Sequence, residues 1–404
     1  MISPVSPRSR AILIPLAFIA FVSLGLPDCV MGVAWPSIRA EFAQPLSRLG
    51  WLSAGGMVGY LISGFFGGQV VRIAGVGGLL VGSSLIVTAS LVGYAIAPAW
   101  WVVVACAVAG GLGAGAIDTG INTFAASHFS PRVVNWLHAS WGIGATAGPL
   151  LMTAVVATHH GWRTGYAILS GTMILLSLLF LATLGMWEDG AAAGAAEEAR
   201  TVTLGTALGR PLLWLRALVF FVYGGIESTA GQLLFTLFTE SRGIGVTGAG
   251  VSVGAYWGAL TVGRIVFGQV AAWVGRAKVL RTGMGLAVVA SVLIAWDPAR
   301  AVSFAGVVLL GFALAPIFPT LTSATPEAVG ADYAPHAVGF QVAATSLGIA
   351  AFPGVVSLLA RVAGLEVVCG YLIGASLALF GLHELTARYI VRGRQLVAVR
   401  EVAV

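Results

Sequence analysis

Apolar runs long enough to cross a bilayer recur along almost the whole of this 404-residue chain. They constrain the fold more than any single motif. In hydrocarbon every backbone N–H and C=O must find its partner inside the spanning structure, so a run of about 20 apolar residues crosses as a helix. Only 9% of the residues are charged and 58% are hydrophobic, whereas a soluble domain carries roughly a quarter charged residues. A water-facing surface cannot be built from so few charges. Spans are predicted near 11–36, 49–71, 76–97, 100–127, 133–157 and 164–186, and again near 212–239, 247–273, 278–296, 301–324, 336–360 and 366–390. The basic start, Arg8 and Arg10 before an apolar run, could pass for a secretion signal. The run continues to about Pro36 without a small-residue cleavage pattern and is read as the first retained span.

The long polar interruption, Trp187 to Pro211, holds Glu188, Asp189, Glu197 and Glu198 in an Ala/Gly-rich stretch and reads as a linker. It divides the chain into an N-terminal six-helix bundle (1–187), a linker (188–211) and a C-terminal six-helix bundle (212–404). Of the 21 Lys and Arg residues, 14 fall on the side of the termini and linker, six on the other, and Arg264 lies within a span. By the positive-inside rule both termini and the linker are expected in the cytoplasm, in a plasma membrane, which is the inner membrane of a Gram-negative cell. The net charge of +6 is spread over short loops and forms no nucleic-acid patch.

The halves echo each other. Gly68-Gln69-Val70, seven residues before Gly75, returns as Gly268-Gln269-Val270 before Gly275, and Gly144 with Pro149 is echoed by Gly348 with Pro353. The expected fold is an all-α membrane protein of twelve transmembrane helices in two pseudo-symmetric six-helix bundles. That is a transporter architecture, with the solute site near mid-membrane between the halves. The 55 glycines suit it. Gly55, Gly59, Ser63 and Gly67, like Ala107, Gly111, Gly115 and Thr119, recur every four residues and give each helix a smooth packing face.

A carboxylate at mid-span costs about 2.5–3.5 kcal/mol on insertion scales, so one is kept for pairing or for function. Asp28, Asp118 and Glu227 lie inside the first, fourth and seventh spans. Burial favours the neutral carboxyl, so such groups can take up and release protons. Asn122 is one turn after Asp118 and Tyr223 one turn before Glu227, each on its acid's own face. Asn135, His138 and Trp141 recur on one face of the fifth span. His138 can donate, accept or take a proton, or serve as a structural hydrogen-bonding group. Arg264 shares a face with Thr261 and Trp257 and is expected to pair with a carboxylate or with helix-end carbonyls as part of a gate. Arg72 is a second gating candidate, at the end of the second span. Gln232, Tyr256, Trp257 and Gln341 offer the aromatic faces and amides that suit a polyol or sugar. Cys29, Cys106 and Cys369 stand singly, without disulfide or metal spacing, and no nucleophile elbow, phosphate loop or metal motif is present.

At these motifs the chain resembles the major facilitator superfamily, and more narrowly its fucose:proton symporter branch. Leu112 to Phe124 (LGAGAIDTGINTF) is similar to the fourth-span motif in which an acid and an Asn line the central cavity. Asp118 stands for the family's glutamate, and the resemblance implies for it a role in proton coupling and sugar binding. Asn135 to Ala145 (NWLHASWGIGA) resembles the fifth-span motif, with His138 and Trp141 where the fucose carrier has amides. Asp28 is similar in placement to a first-span coupling acid, and YGGIESTAG, Tyr223 to Gly231, to a seventh-span signature. WGALTVGR, Trp257 to Arg264, and Gly339 to Gly354 resemble the eighth and eleventh spans. Gln69 occupies the place of the superfamily's usual loop Asp before Arg72.

The expectation is therefore a secondary active transporter of a small polar, sugar-like solute, working by alternating access with proton coupling and without an enzymatic activity or a cofactor. Its partners would be the solute, protons and the lipid bilayer, with the chain acting as a monomer and binding no nucleic acid. A proton-driven exporter of drugs or metabolites is the alternative within transport. A membrane-embedded enzyme or sensor would need a catalytic cluster or an appended soluble domain, and the sequence has neither.

Overall fold

The computed structural model describes residues 7–187 and 202–402, together with their side chains except those of 7–10, 126, 131, 135, 272 and 393–402. Glu188, Asp189, Glu197 and Glu198 lie outside the described residues.

The described chain is almost wholly helical. The first span is two helices, Pro7–Asp28 and Met31–Glu41. Pro27 lies in the last turn of the first, where its missing N–H and ring weaken the ladder, and the bend leaves Asp28 at the break. The second and third spans form one helical run, Leu49–Ile96, which turns at Gly75. Its continuous apolar stretch covers 51 residues. At 1.5 Å per residue such a stretch is about two and a half times the thickness of a bilayer core, enough for two crossings and the turn between them. Counted as two crossings, it brings the 11 long apolar stretches of the described residues to the expected twelve.

Gly75, at φ +70°, and Gly275, at φ +92°, lie 200 residues apart and turn the chain at the ends of the second and eighth spans. Left-handed backbone of this kind carries a steric penalty for residues with a Cβ. The same turn therefore recurs in both halves.

The remaining spans are Trp100–His128, Pro131–Ala157, Gly161–Ala182, Pro211–Thr236 with a wide turn at Leu237–Ser241, Val246–Val274 and Arg276–Trp296. The tenth is broken, Arg300–Leu314 then Ile317–Ser323, before Pro316 can continue the helix; Ala334–Ala363 and Val367–Val402 complete the set. Odd-numbered spans run from the face that carries the linker towards the far face, and even-numbered spans return.

Within the first half the second span packs on the fourth and the first on the fifth; within the second half the seventh packs on the eleventh and the eighth on the tenth. Between halves the contacts gather on the far side. Gly50 and Gly354 bring the second and eleventh spans so close that a Cβ on Gly354 would lie 2.9 Å from the Cα of Gly50. Gly250 faces Thr153, Gly254 faces Leu150 and Gly258 faces Thr146 along the fifth and eighth spans. Towards the linker face the pattern stops. Gly68, Gly268 and Gly339 look into open space, and Ile73 and Trp273, again 200 residues apart, are each 87% exposed. The halves are closed on the far side and parted on the linker side.

Arg216, in the predicted span 212–239, is buried near the linker-side start of the seventh span. It donates to the Leu321 carbonyl at 2.7 Å and to the Thr325 hydroxyl at 2.9 Å. The last carbonyls of a helix have no intrahelical partner and sit at the negative end of its dipole, so a buried arginine is held well there.

Candidate functional site

The break after Pro27 puts Asp28 on the wall of the space between the halves. Its side chain is exposed although atoms of several spans surround it. The indole N–H of Trp141, in the fifth span, donates to Asp28 Oδ2 at 3.0 Å. Gly25 allows this pairing, since the Trp141 backbone lies where a Cβ would stand. The Trp141 ring also lies under the Arg264 guanidinium, 5.7 Å from its centroid, and edge-on to Trp257 at 6.0 Å. One side chain of the first half thus touches an acid of its own half and a cation and an aromatic of the other.

In the second half Tyr223 donates to Glu227 Oε2, and Arg264 approaches the same oxygen at 3.7 Å. The Tyr256 hydroxyl donates to the Glu227 carbonyl at 3.1 Å, and its ring stacks edge-on against Trp257 at 5.0 Å. Glu227 is one turn from Gly231, whose missing side chain makes room for the Trp257 ring. Arg264 is therefore held between an acid and an aromatic face, with its Nε buried and without a hydrogen-bond partner among the described residues. This is the carboxylate pairing expected for it.

The third acid stands apart on the wall of the first half. Asp118 accepts from Asn122 Nδ2 at 2.9 Å and from the Tyr60 hydroxyl at 2.8 Å. The Asn122 bond is the expected one-turn pair; Tyr60, from the second span, is new. His138 is exposed and packs edge-on against Phe21 at 5.1 Å.

Three candidates fall elsewhere. Gln232 accepts from Ser53 at 3.0 Å, beside the close approach of Gly32 to Gly231, so it belongs to the far-side closure between halves. Gln341 is 1% exposed and accepts from the Thr325 hydroxyl at 3.1 Å, within the network around Arg216, and reaches no open space. Arg72 is exposed and makes no ion pair among the described residues. The side chain of Asn135 lies outside those described. No cluster of three metal-ligating side chains occurs among the described residues.

Sequence reasoning missed the pair between Arg39, at the far end of the first span, and Glu240, at the far end of the seventh. Of the ion pairs among the described residues, it alone joins the two halves. Its signal was the offset. Arg39-x-Glu41 and Glu240-x-Arg242 stand 201 residues apart with their charges exchanged.

The sequence model of the Major Facilitator Superfamily matches residues 13–353. The human protein named sodium-dependent glucose transporter 1 is 25% identical over 402 aligned residues, covering 89% of this chain and 76% of that protein. The glucose/mannose transporter GlcP of Bacillus subtilis (strain 168) is 23% identical over 232 residues, 54% of this chain and 56% of that one. Among solved structures, a variant of the nucleoside transporter NupG superposes with a TM-score of 0.77 at 13% identity, covering 92% of this chain and 98% of that one. A D-xylose-proton symporter does so with a TM-score of 0.72 at 14% identity, over 91% and 96%. These superpositions share the fold.

Proposed function

This chain belongs to the major facilitator superfamily, and from that premise we propose that it is a secondary active transporter of a small, polar, sugar-like solute, coupled to protons and working by alternating access. One observation carries the reading. Acids and aromatics from both halves meet at the space that is open on the linker side and closed on the far side.

Asp28, Asp118 and Glu227 are the proton-coupling groups, each held by a side-chain donor. Trp141 offers an aromatic face to the apolar side of a sugar ring, and Asn122 and His138 can meet its hydroxyls, while the buried Tyr256 and Trp257 back this wall. Tyr223 and Arg264 hold Glu227. The names of the two curated relatives, both glucose transporters, support a hexose as the solute. The fourth-, fifth- and seventh-span motifs support a place near the fucose:proton symporter branch.

Rocking of an N-terminal bundle (1–187) against a C-terminal bundle (212–404), joined by the linker at 188–211, opens the site to each side in turn. With the linker and termini in the cytoplasm of a plasma membrane, the conformation described is the inward-facing one, and a single chain suffices.

Melting of the purified protein with D-glucose, D-mannose, L-fucose or a lipophilic cation, at several pH values, tests the solute class. A true ligand stabilises the form that binds it. Stabilisation by a neutral hexose supports the reading, and stabilisation by the lipophilic cation alone replaces it with a drug exporter.

A further inference from the structure

We propose that Trp141 is a positioning residue that couples the state of Asp28 in the first half to the Glu227–Arg264 pair in the second, and so links protonation to the rocking of the halves. This rests on the proton-coupled reading above and names the side chain through which the coupling passes.

The geometry supplies three reasons. Trp141 donates to Asp28 at 3.0 Å and carries Arg264 on its ring at 5.7 Å, so a change at either partner alters the pull on one indole. Its neighbour Gly142 marks the place where the fifth span crosses the eighth, where a Cβ would lie 2.8 Å from the Thr261 Cβ. From Gly142 towards the far face the two spans touch, at Thr146, Leu150 and Thr153, while towards the linker face Gly268 is open. Trp141 therefore stands at the pivot, where a small rotation of the ring changes the angle between halves. Finally, the first and fifth spans move as one body. Gly25, Gly144 and Gly148 let their backbones abut, so that Asp28 and Trp141 share a rigid platform while Arg264 rides on the other half.

The ionised Asp28 holds the indole by a charge-assisted hydrogen bond. When Asp28 takes a proton that bond weakens, and the ring is free to follow Arg264 as the halves rotate. The other charged and titratable groups that act on this corner are Cys29 beside Asp28, Asp118 with Tyr60 on the fourth and second spans, and His138 on the fifth. Glu227 with Tyr223, Arg264 and Tyr256 complete it on the seventh and eighth. Trp141→Phe removes the donor and keeps a ring for Arg264; Trp141→Leu removes both.

Spin labels at Ile73→Cys and Trp273→Cys, both exposed at the linker-side ends of the two halves, report the gap between halves without any solute. The native cysteines are buried. In the full chain in nanodiscs the distance distribution is followed from pH 5 to 9, in the parent and in Trp141→Phe, Asp28→Asn and the double variant. The proposal expects a pH-dependent gap in the parent, a displaced profile in Trp141→Phe, and no further displacement when Asp28→Asn is added, as for two residues acting through one contact. Trp141→Leu, which also frees Arg264, would broaden the distribution. A pH-dependent parent whose profile Trp141→Phe leaves in place, or displacements that simply add, overturns the role of Trp141. A gap that does not respond to pH in the parent overturns the proton-coupled reading together with the proposal built on it.

Discussion

Arg39 and Glu240 occupy equivalent places in the two halves, 201 residues apart, and bind each other across the boundary between them. Residues related by a two-fold meet their own counterparts at the axis, so identical charges there would repel. The chain solves this by opposite signs. The exchange extends outward: Glu41 pairs with Arg163 at the start of the sixth span, at 2.6 Å, and Arg242 pairs with Glu366 at the start of the twelfth, at 2.7 Å. Arg163 also donates to the carbonyls of Ala95 and Ala97 at the end of the third span, and Arg242 to that of Ile294 at the end of the ninth. The same joint is built twice with its polarity reversed.

Neutralising either member of the central pair should loosen the far-side closure. Both side chains are partly exposed, 24% and 32%, so the pair is worth about 1 kcal/mol, roughly a fivefold change in population. Labelling of Ser53→Cys by an impermeant thiol reagent from the far side should rise by that factor in Arg39→Ala or Glu240→Ala. It should return to the parent level in the double exchange Arg39→Glu with Glu240→Arg. Equal labelling in all variants would remove the pair from the gate.

Gly354→Val should open the far side more strongly. The added side chain enters the space taken by Gly50, and overpacking of this kind costs about 1–3 kcal/mol. The cost falls only on the conformation in which the second and eleventh spans touch. The same thiol assay should show high labelling with an unchanged yield of folded protein, whereas a labelling rate equal to the parent's would place no closing contact there.

Removing the outer joints should cost stability unequally. Arg242 is 8% exposed and binds Glu366, Asp297, the Ile294 carbonyl and Ser303, so Arg242→Ala should destabilise by about 2 kcal/mol. Arg163, at 32%, is more solvated, and Arg163→Ala should cost about 1 kcal/mol. Melting temperatures in one detergent decide the order, and a larger loss for Arg163→Ala would contradict it.

Acid should undo the same joints. The hydrogen bonds from Arg163, followed by the Trp162 N–H, hold the Glu41 carboxyl below the ordinary glutamate value of 4.5. Arg242 does the same for Glu366. A carboxyl lowered in the folded state adds stability above its unfolded pKa and loses it as pH falls through the folded one. Melting temperature should therefore fall as the pH drops below about 4.5, and less so in the Glu41→Gln, Glu366→Gln double variant. Identical slopes would show that these carboxylates carry no linkage.

Twelve crossings in two halves were legible because a bilayer imposes one length and one pairing rule on every span. The meeting of Glu227 with Tyr223 and of Asp118 with Asn122 was legible too, because one helical turn fixes those neighbours. Contacts between spans were not. Tyr60 reaches Asp118 from 58 residues away, and hydropathy fixes no rotation that would reveal it. Gln341 looked like a solute ligand because an amide in an apolar helix asks for a partner; its partner, Thr325, follows the break of the tenth span. Arg216 falls inside a predicted span, but its partners, the Leu321 carbonyl and the Thr325 hydroxyl, lie more than 100 residues away and no local pattern reveals them.

Uptake by the purified protein in liposomes tests the central claim most directly. Labelled D-glucose, or the hexose that stabilises the protein most, is followed under an inward pH gradient, under a sodium gradient and under neither. The account predicts accumulation with the pH gradient alone, lost in Asp118→Asn and Glu227→Gln while exchange of labelled for unlabelled solute persists. Accumulation driven by sodium and indifferent to pH, or gradient-driven uptake that survives both substitutions, would contradict it.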